Sequence, residues 1–222
     1  MTTDLKPAEP PKPVSLAKAR ILALIPFGIA LNLGLGTITS TLKIPLYLDA
    51  VATIAVTLLV GFRAGAVVGV ASFLIGGALV NPVLPWFSAT QLLIAAYIAV
   101  VARQGWLATG KGGGLALPRW ARYARVLIIG IGLGIMAGIV SAPVIVALFS
   151  GLTGSGPSLV VAFLLKSGQT LYKSVLLSGL ASEPLDKTVQ LLLALGLIRS
   201  LPASLKLAFG GGYLRKNGLA GS

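Results

Sequence analysis

The chain has 222 residues, 56% hydrophobic and only 10% charged, with a mean hydropathy of +0.95. Soluble domains carry roughly 25% charged residues, so this composition excludes a water-soluble globule and points to an integral membrane protein. The net charge of +13 fits the Lys and Arg excess of cytoplasmic loops rather than a nucleic-acid partner, and the absence of both Cys and His excludes disulfides, thiolate nucleophiles, zinc sites and imidazole catalysis.

Residues 1–15, rich in Pro and Lys and lacking an apolar core, are expected to form a disordered cytoplasmic tail, not a cleaved signal peptide. A helix crossing the hydrocarbon needs about 20 apolar residues. The first candidate span covers 16–36 and runs into a polar stretch at 37–43. The second and third, 47–60 and 64–79, are short and separated only by Gly61-Phe62-Arg63, so a tight hairpin is predicted. Asn81-Pro82 and Pro85 break the chain before a fourth span, 86–102. A basic, glycine-rich loop at 103–122 leads to a long fifth span, 123–149.

The remainder is harder to divide. Residues 157–180 are apolar but include Lys166, Gln169, Tyr172 and Lys173; Glu183-Pro184-Leu185-Asp186-Lys187 is read as a break; and 188–209 is apolar again, before a cytoplasmic tail at 210–222. Six spans with both termini inside leave only Lys43, Lys166, Lys173 and Lys187 outside, of 18 basic residues. Seven spans would put Arg199, Lys206, Arg215 and Lys216 outside and bury Lys166 and Lys173 in hydrocarbon, at a cost of a few kcal/mol each. The predicted fold is therefore an all-α integral membrane protein. It has six transmembrane helices in one domain, 16–209, and a re-entrant or interfacial helix between the fifth and sixth spans.

Glycine patterning predicts close helix packing. Gly61, Gly65 and Gly69 recur every four residues, as do Gly130, Gly134 and Gly138, and Ala19 and Ala23 share this spacing on the inner half of the first span. The run Thr109-Gly110-Lys111-Gly112-Gly113-Gly114 lacks the Gly-Lys-Ser/Thr ending of a phosphate loop and reads as a connector. With no nucleophile–base arrangement and only five acids, neither an enzyme nor a metal or cofactor site is expected. Asp49 and Asp186 each open a span, where an acid either complements a helix N-terminus or serves function.

Polar groups on the outer side suggest a pocket. Lys166, Gln169 and Lys173 share a helix face and form either an interfacial helix or a lid over a solute. Asp49, Trp86, Gln91 and Lys187 would line the opposite wall, because a hydrated pocket relieves the penalty that lipid imposes on them.

The runs Ile44-Pro45-Leu46-Tyr47-Leu48-Asp49 and Gly61-Phe62-Arg63-Ala64-Gly65-Ala66-Val67-Val68-Gly69 resemble the second and third helices of the substrate-binding S components of energy-coupling factor (ECF) transporters. Glu183-Pro184-Leu185-Asp186-Lys187, with the following apolar span and Leu201-Pro202, resembles their last helix. The resemblance covers about residues 16–209. It implies capture of a small water-soluble vitamin or similar micronutrient from outside a bacterial or archaeal cytoplasmic membrane. Delivery inward would require a transmembrane T subunit and two cytoplasmic ATPases. It also implies that Ala19 and Ala23 dock the T subunit. Marker residues for thiamine, riboflavin or biotin are missing, so the resemblance leaves the substrate open. The alternatives are a ligand-free assembly subunit of a membrane complex and a solitary carrier.

Overall fold

The computed structural model describes residues 16–107, 118–151, 153, 157–209, 213–214 and 217–219; the expected N-terminal tail and residues 108–117 of the glycine-rich loop lie outside them. The helices are α1 (Leu16–Thr41), α2 (Val51–Leu59), α3 (Phe62–Leu79), α4 (Ser88–Arg103), α5 (Arg119–Phe149), α6 (Pro157–Lys166), α7 (Leu171–Ser200) and α8 (Ala203–Ala208), with a 3₁₀ turn at Leu84–Phe87 before α4. No strand occurs among the described residues. Four stretches are long and apolar enough to cross a bilayer: Ala19–Thr41, Phe62–Leu79, Leu84–Arg103 and Trp120–Phe149. Their outward faces carry large exposed apolar side chains, among them Leu22, Phe27, Leu74, Ile128 and Ile139. Such a surface suits lipid and not water.

The second helix sits at the centre of the bundle. All nine residues of α2 are buried, as expected of a helix apolar on every side, and it packs against α1, α3, α4 and α7. Ile54 and Leu58 meet Ile94 and Ile98 of α4, Ile129 and Leu133 of α5, and Leu191 and Ile198 of α7 in one core. The glycines of α3 make this possible. A Cβ on Gly65 would collide with Thr57, and one on Gly69 would come within 2.8 Å of Gln91 Oε1 and 2.9 Å of Thr53 Oγ1.

Three sequence expectations are corrected. First, the second span does not begin at 47: residues 46–50 are non-helical, and the helix starts at Val51. Lys43 and Leu48 adopt positive φ, which a helix does not allow.

Second, Glu183–Lys187 is not a break. α7 runs without interruption through Pro184. Proline removes one backbone donor and crowds the preceding turn, but in an apolar surrounding a broken helix would expose several backbone groups to lipid instead. Ser182 Oγ donates to Ser178 O at 2.8 Å and Thr188 Oγ1 to Pro184 O at 2.7 Å, on either side of the proline. Gly134 of α5 lies directly on the Pro184 backbone, where any Cβ would collide. The pairs Gly130–Thr188, Gly134–Pro184 and Gly138–Gly179 run in opposite chain directions, so α5 and α7 form an antiparallel pair, the most extensive helix contact in the structure.

Third, the apolar stretch 188–209 is not one helix: α7 ends at Ser200, before Pro202, and α8 follows. The described part of the expected C-terminal tail is held against the bundle. Leu214 and Leu219 join the core. Asn217 Nδ2 donates to Ala102 O at 2.9 Å, and Arg103 Nε donates to the Tyr213 hydroxyl at 3.0 Å. The tail thereby adds a side-chain donor to the Ala102 carbonyl in the last turn of α4, which already accepts from Gly105 N at 3.2 Å.

Candidate functional site

The non-helical residues 46–50 must satisfy their backbone groups inside the bundle, where water is scarce, and side chains of other helices do this. Asp186 Oδ1 accepts the N–H groups of Tyr47 and Leu48 at 2.9 and 3.0 Å. Gln190 Oε1 accepts from Ala50 N at 2.9 Å, and Asn32 Oδ1 from Ala52 N at 2.8 Å. Thr39 Oγ1 donates to Tyr47 O at 2.8 Å, and Gln91 Nε2 donates to Asp49 O at 3.2 Å. α1, α4 and α7 therefore suspend this segment between them. The N-terminus of α2, which has no side-chain cap of its own, is capped by Asn32 and Gln190.

Around it lies a cluster of charges. Lys187 is 3% exposed and Asp186 fully buried. Lys187 Nζ stands 2.7 Å from Asp186 Oδ2, 3.3 Å from Glu183 Oε2 and 3.5 Å from Asp49 Oδ1, and 5.5 Å from the centre of the Tyr47 ring, a cation–π distance. Gln190 Nε2 also donates to Asp186 Oδ2 at 2.7 Å. Asp186 thus receives four donors on its two oxygens. Glu183 Oε2 is at ion-pair distance from Lys187 but outside hydrogen-bond geometry, and it is buried without a hydrogen-bond partner. Among the described residues, no group of three or more acids converges in a way that could hold a metal ion.

Tyr47, Asp49, Glu183 and Lys187 border a cavity of about 130 Å³ that reaches from the chain segments around residues 37–47 and 80–87 into the middle of the bundle. Asn32, Asp49, Gln91, Glu183 and Lys187 supply polar groups to its wall, and Phe73, Leu84, Phe87 and Ile94 supply an apolar one. Phe87 is held by stacking on Phe149, with ring centres 6.1 Å apart. A second polar chain fixes the floor: Asn32 Nδ2 donates to Thr53 Oγ1 at 2.9 Å, and Thr53 Oγ1 donates to Gln91 Oε1 at 2.8 Å. A mostly apolar cavity with a few converging polar groups is the usual form of a small-molecule site.

Of the residues singled out from sequence, the structure brings Asp49, Gln91 and Lys187 together on the cavity wall. It does not bring Trp86, Lys166, Gln169 or Lys173 there. Trp86 is 58% exposed on the 3₁₀ turn. Lys166 ends α6, Gln169 lies half-buried in the turn after it, and Lys173 is exposed in the first turn of α7. The stretch 157–180 is thus no single lid: α6 packs on α7, where Ser178 Oγ donates to Pro157 O at 3.0 Å, and Val161 of α6 joins Val175 of α7 and Ala142 of α5 in a small apolar cluster. Sequence reasoning missed Glu183 and Asn32 as wall residues. Glu183 sits one turn before Lys187, and that spacing on a continuous helix was the signal; reading Pro184 as a break concealed it. Ala19 and Ala23 are both exposed on α1.

No family model, curated protein or solved structure matches the chain.

Proposed function

We propose that this chain is a membrane-embedded solute-binding protein that acts as the substrate-capture S component of an ECF-type importer. The observation that carries the binding half is the cavity of about 130 Å³ lined by Asn32, Asp49, Gln91, Glu183 and Lys187 inside a bundle whose exterior is apolar. Polar groups of this kind are costly in a bilayer and are functional candidates by default. The importer half rests on the sequence resemblance, supported by the exposed small-residue face at Ala19 and Ala23, where a partner helix could approach closely.

In this reading six helices cross the cytoplasmic membrane, with both termini inside. α1, α3, α4 and α5 cross by length and apolarity. α7 crosses with its 30 residues, its ionisable side chains Glu183, Asp186 and Lys187 turned inward. α2 crosses together with the non-helical segment before it. α6, of 10 residues, lies at the outer side. The cavity then faces outward, near the residues that precede α2 and α4. The chain captures the solute there, and a T subunit with two ATPases supplies the energy for inward release.

The test is expression of the tagged chain in its native membrane. Co-purification of a transmembrane partner with ATPase subunits, and thermal stabilisation of the purified chain by a water-soluble vitamin or related micronutrient, are the expected results. Stabilisation without partners would favour a solitary carrier. Partners without any stabilising solute would favour an assembly subunit.

A further inference from the structure

The charge cluster carries more information than its presence alone. Lys187 is the only basic residue among the described residues lining the cavity, and three carboxylates surround it. Asp186 takes its shortest contact, at 2.7 Å, and is further satisfied by Gln190 and by the backbone of Tyr47 and Leu48. The two carboxylates on the cavity wall hold only long contacts. Asp49 Oδ1 is 3.5 Å from Lys187 Nζ and 3.4 Å from Gln190 Nε2. Glu183 Oε2 is 3.3 Å from Lys187 without hydrogen-bond alignment, and Glu183 is 6% exposed. A buried carboxylate with incomplete compensation is strongly unfavourable, and donors of positive charge make the strongest hydrogen bonds to it.

Resting on the solute-capture reading above, we infer that the cavity selects a small amphipathic organic cation, an amine-bearing solute of about ten non-hydrogen atoms, given the volume one water-sized group occupies. Its charged nitrogen sits between Asp49 and Glu183 and donates to both. Its apolar part lies against Phe73, Leu84 and Phe87. Lys187 keeps Asp186 in place and, at ion-pair distance from both wall carboxylates, offsets part of their mutual repulsion. An anionic solute of the same shape meets two under-compensated carboxylates and is rejected, although a lysine is present.

The experiment is calorimetric titration of the purified chain in nanodiscs with three probes of like shape: phenethylammonium, phenethyl alcohol and phenylpropanoate. Phenethylammonium is expected to bind saturably and about ten- to a hundredfold more tightly than the alcohol, the range of a charge-assisted hydrogen bond, with phenylpropanoate weakest. Glu183→Gln, which keeps the side-chain shape, should remove most of that preference while the variant unfolds no lower than wild type. Tightest binding by phenylpropanoate overturns the cation assignment and leaves solute capture standing. Equal binding of all three, or a preference unchanged in both Glu183→Gln and Asp49→Asn, also overturns it. If no probe binds, the cation assignment fails; if a mixture of water-soluble metabolites also leaves the unfolding temperature unmoved, the capture reading fails with it.

Discussion

Tyr47 and Asp186, 139 residues apart in the chain, are joined by a 2.9 Å hydrogen bond from the Tyr47 backbone N–H to Oδ1 of Asp186, which also accepts from Leu48. The carboxylate on α7 therefore performs for the segment 46–50 the task that a helix performs for itself, giving backbone donors a partner away from water. The same side chain turns its other oxygen to Lys187. One residue thus ties the shape of the chain before α2 to the charges on the cavity wall.

Asp186→Ala should accordingly be among the most damaging single changes in the molecule. It strands two part-buried backbone N–H groups and removes the shortest partner of a buried ammonium; breaking a buried pair in this way costs about 3–5 kcal/mol. Thermal unfolding in detergent should show a large drop, with Asp186→Asn intermediate because it retains one accepting oxygen. Wild-type stability of Asp186→Ala would remove the suspended-segment account.

Gly134→Ala should destabilise by about 1–3 kcal/mol, the usual range for overpacking, because its Cβ would collide with the Pro184 backbone. Gly34→Ala is the control. Nothing lies within 4 Å of the added carbon, and alanine is the better helix former. Equal unfolding temperatures for the two variants would show that α5 and α7 are not in the contact described.

Lys187→Met leaves three acids without their shared cation and should both lower the unfolding temperature and shift solute affinity by displacing the wall carboxylates that it bridges. Lys166→Ala and Lys173→Ala should do neither, since both side chains are exposed away from the cavity. A loss of binding in either of the latter, at unchanged stability, would restore the outer lid expected from the sequence.

Ala19→Trp or Ala23→Trp should stop uptake in cells while solute binding by the purified chain stays as in wild type. Both residues are exposed on α1, so a larger side chain disturbs a partner and not the interior. Loss of binding in step with uptake would place this face inside the fold.

The chain has no cysteine, so single cysteines report topology without background. Ser167→Cys should react with an impermeant maleimide from outside intact cells. Gln104→Cys and Ser200→Cys should react only after the inner face is opened. Labelling of Ser200→Cys from outside would invert or shorten the crossing assigned to α7.

Composition and period are sufficient for the coarse architecture. The apolar runs, the Pro and Gly punctuation and the four-residue glycine spacing are local properties, so the helices α1, α3, α4 and α5 and the close approach at Gly65 and Gly134 are legible in the amino-acid order itself. Asp49, Gln91 and Lys187 stand out there too, because a polar group in an apolar run is conspicuous by itself. Three features are not legible in that way. Pro184 reads as a stop on any local rule, and only the backbone of Gly134 and the apolar surroundings keep α7 whole. Residues 47–50 read as the start of a helix, and only acceptors from α1 and α7, distant in sequence, let the chain stay non-helical there. The segment 157–180 reads as one polar-faced lid, yet the turn after Lys166 divides it and sends its lysines away from the cavity. In each case the deciding partner is remote along the chain, and hydrogen-bond and van der Waals partners at that separation are set by packing, which no window of sequence contains.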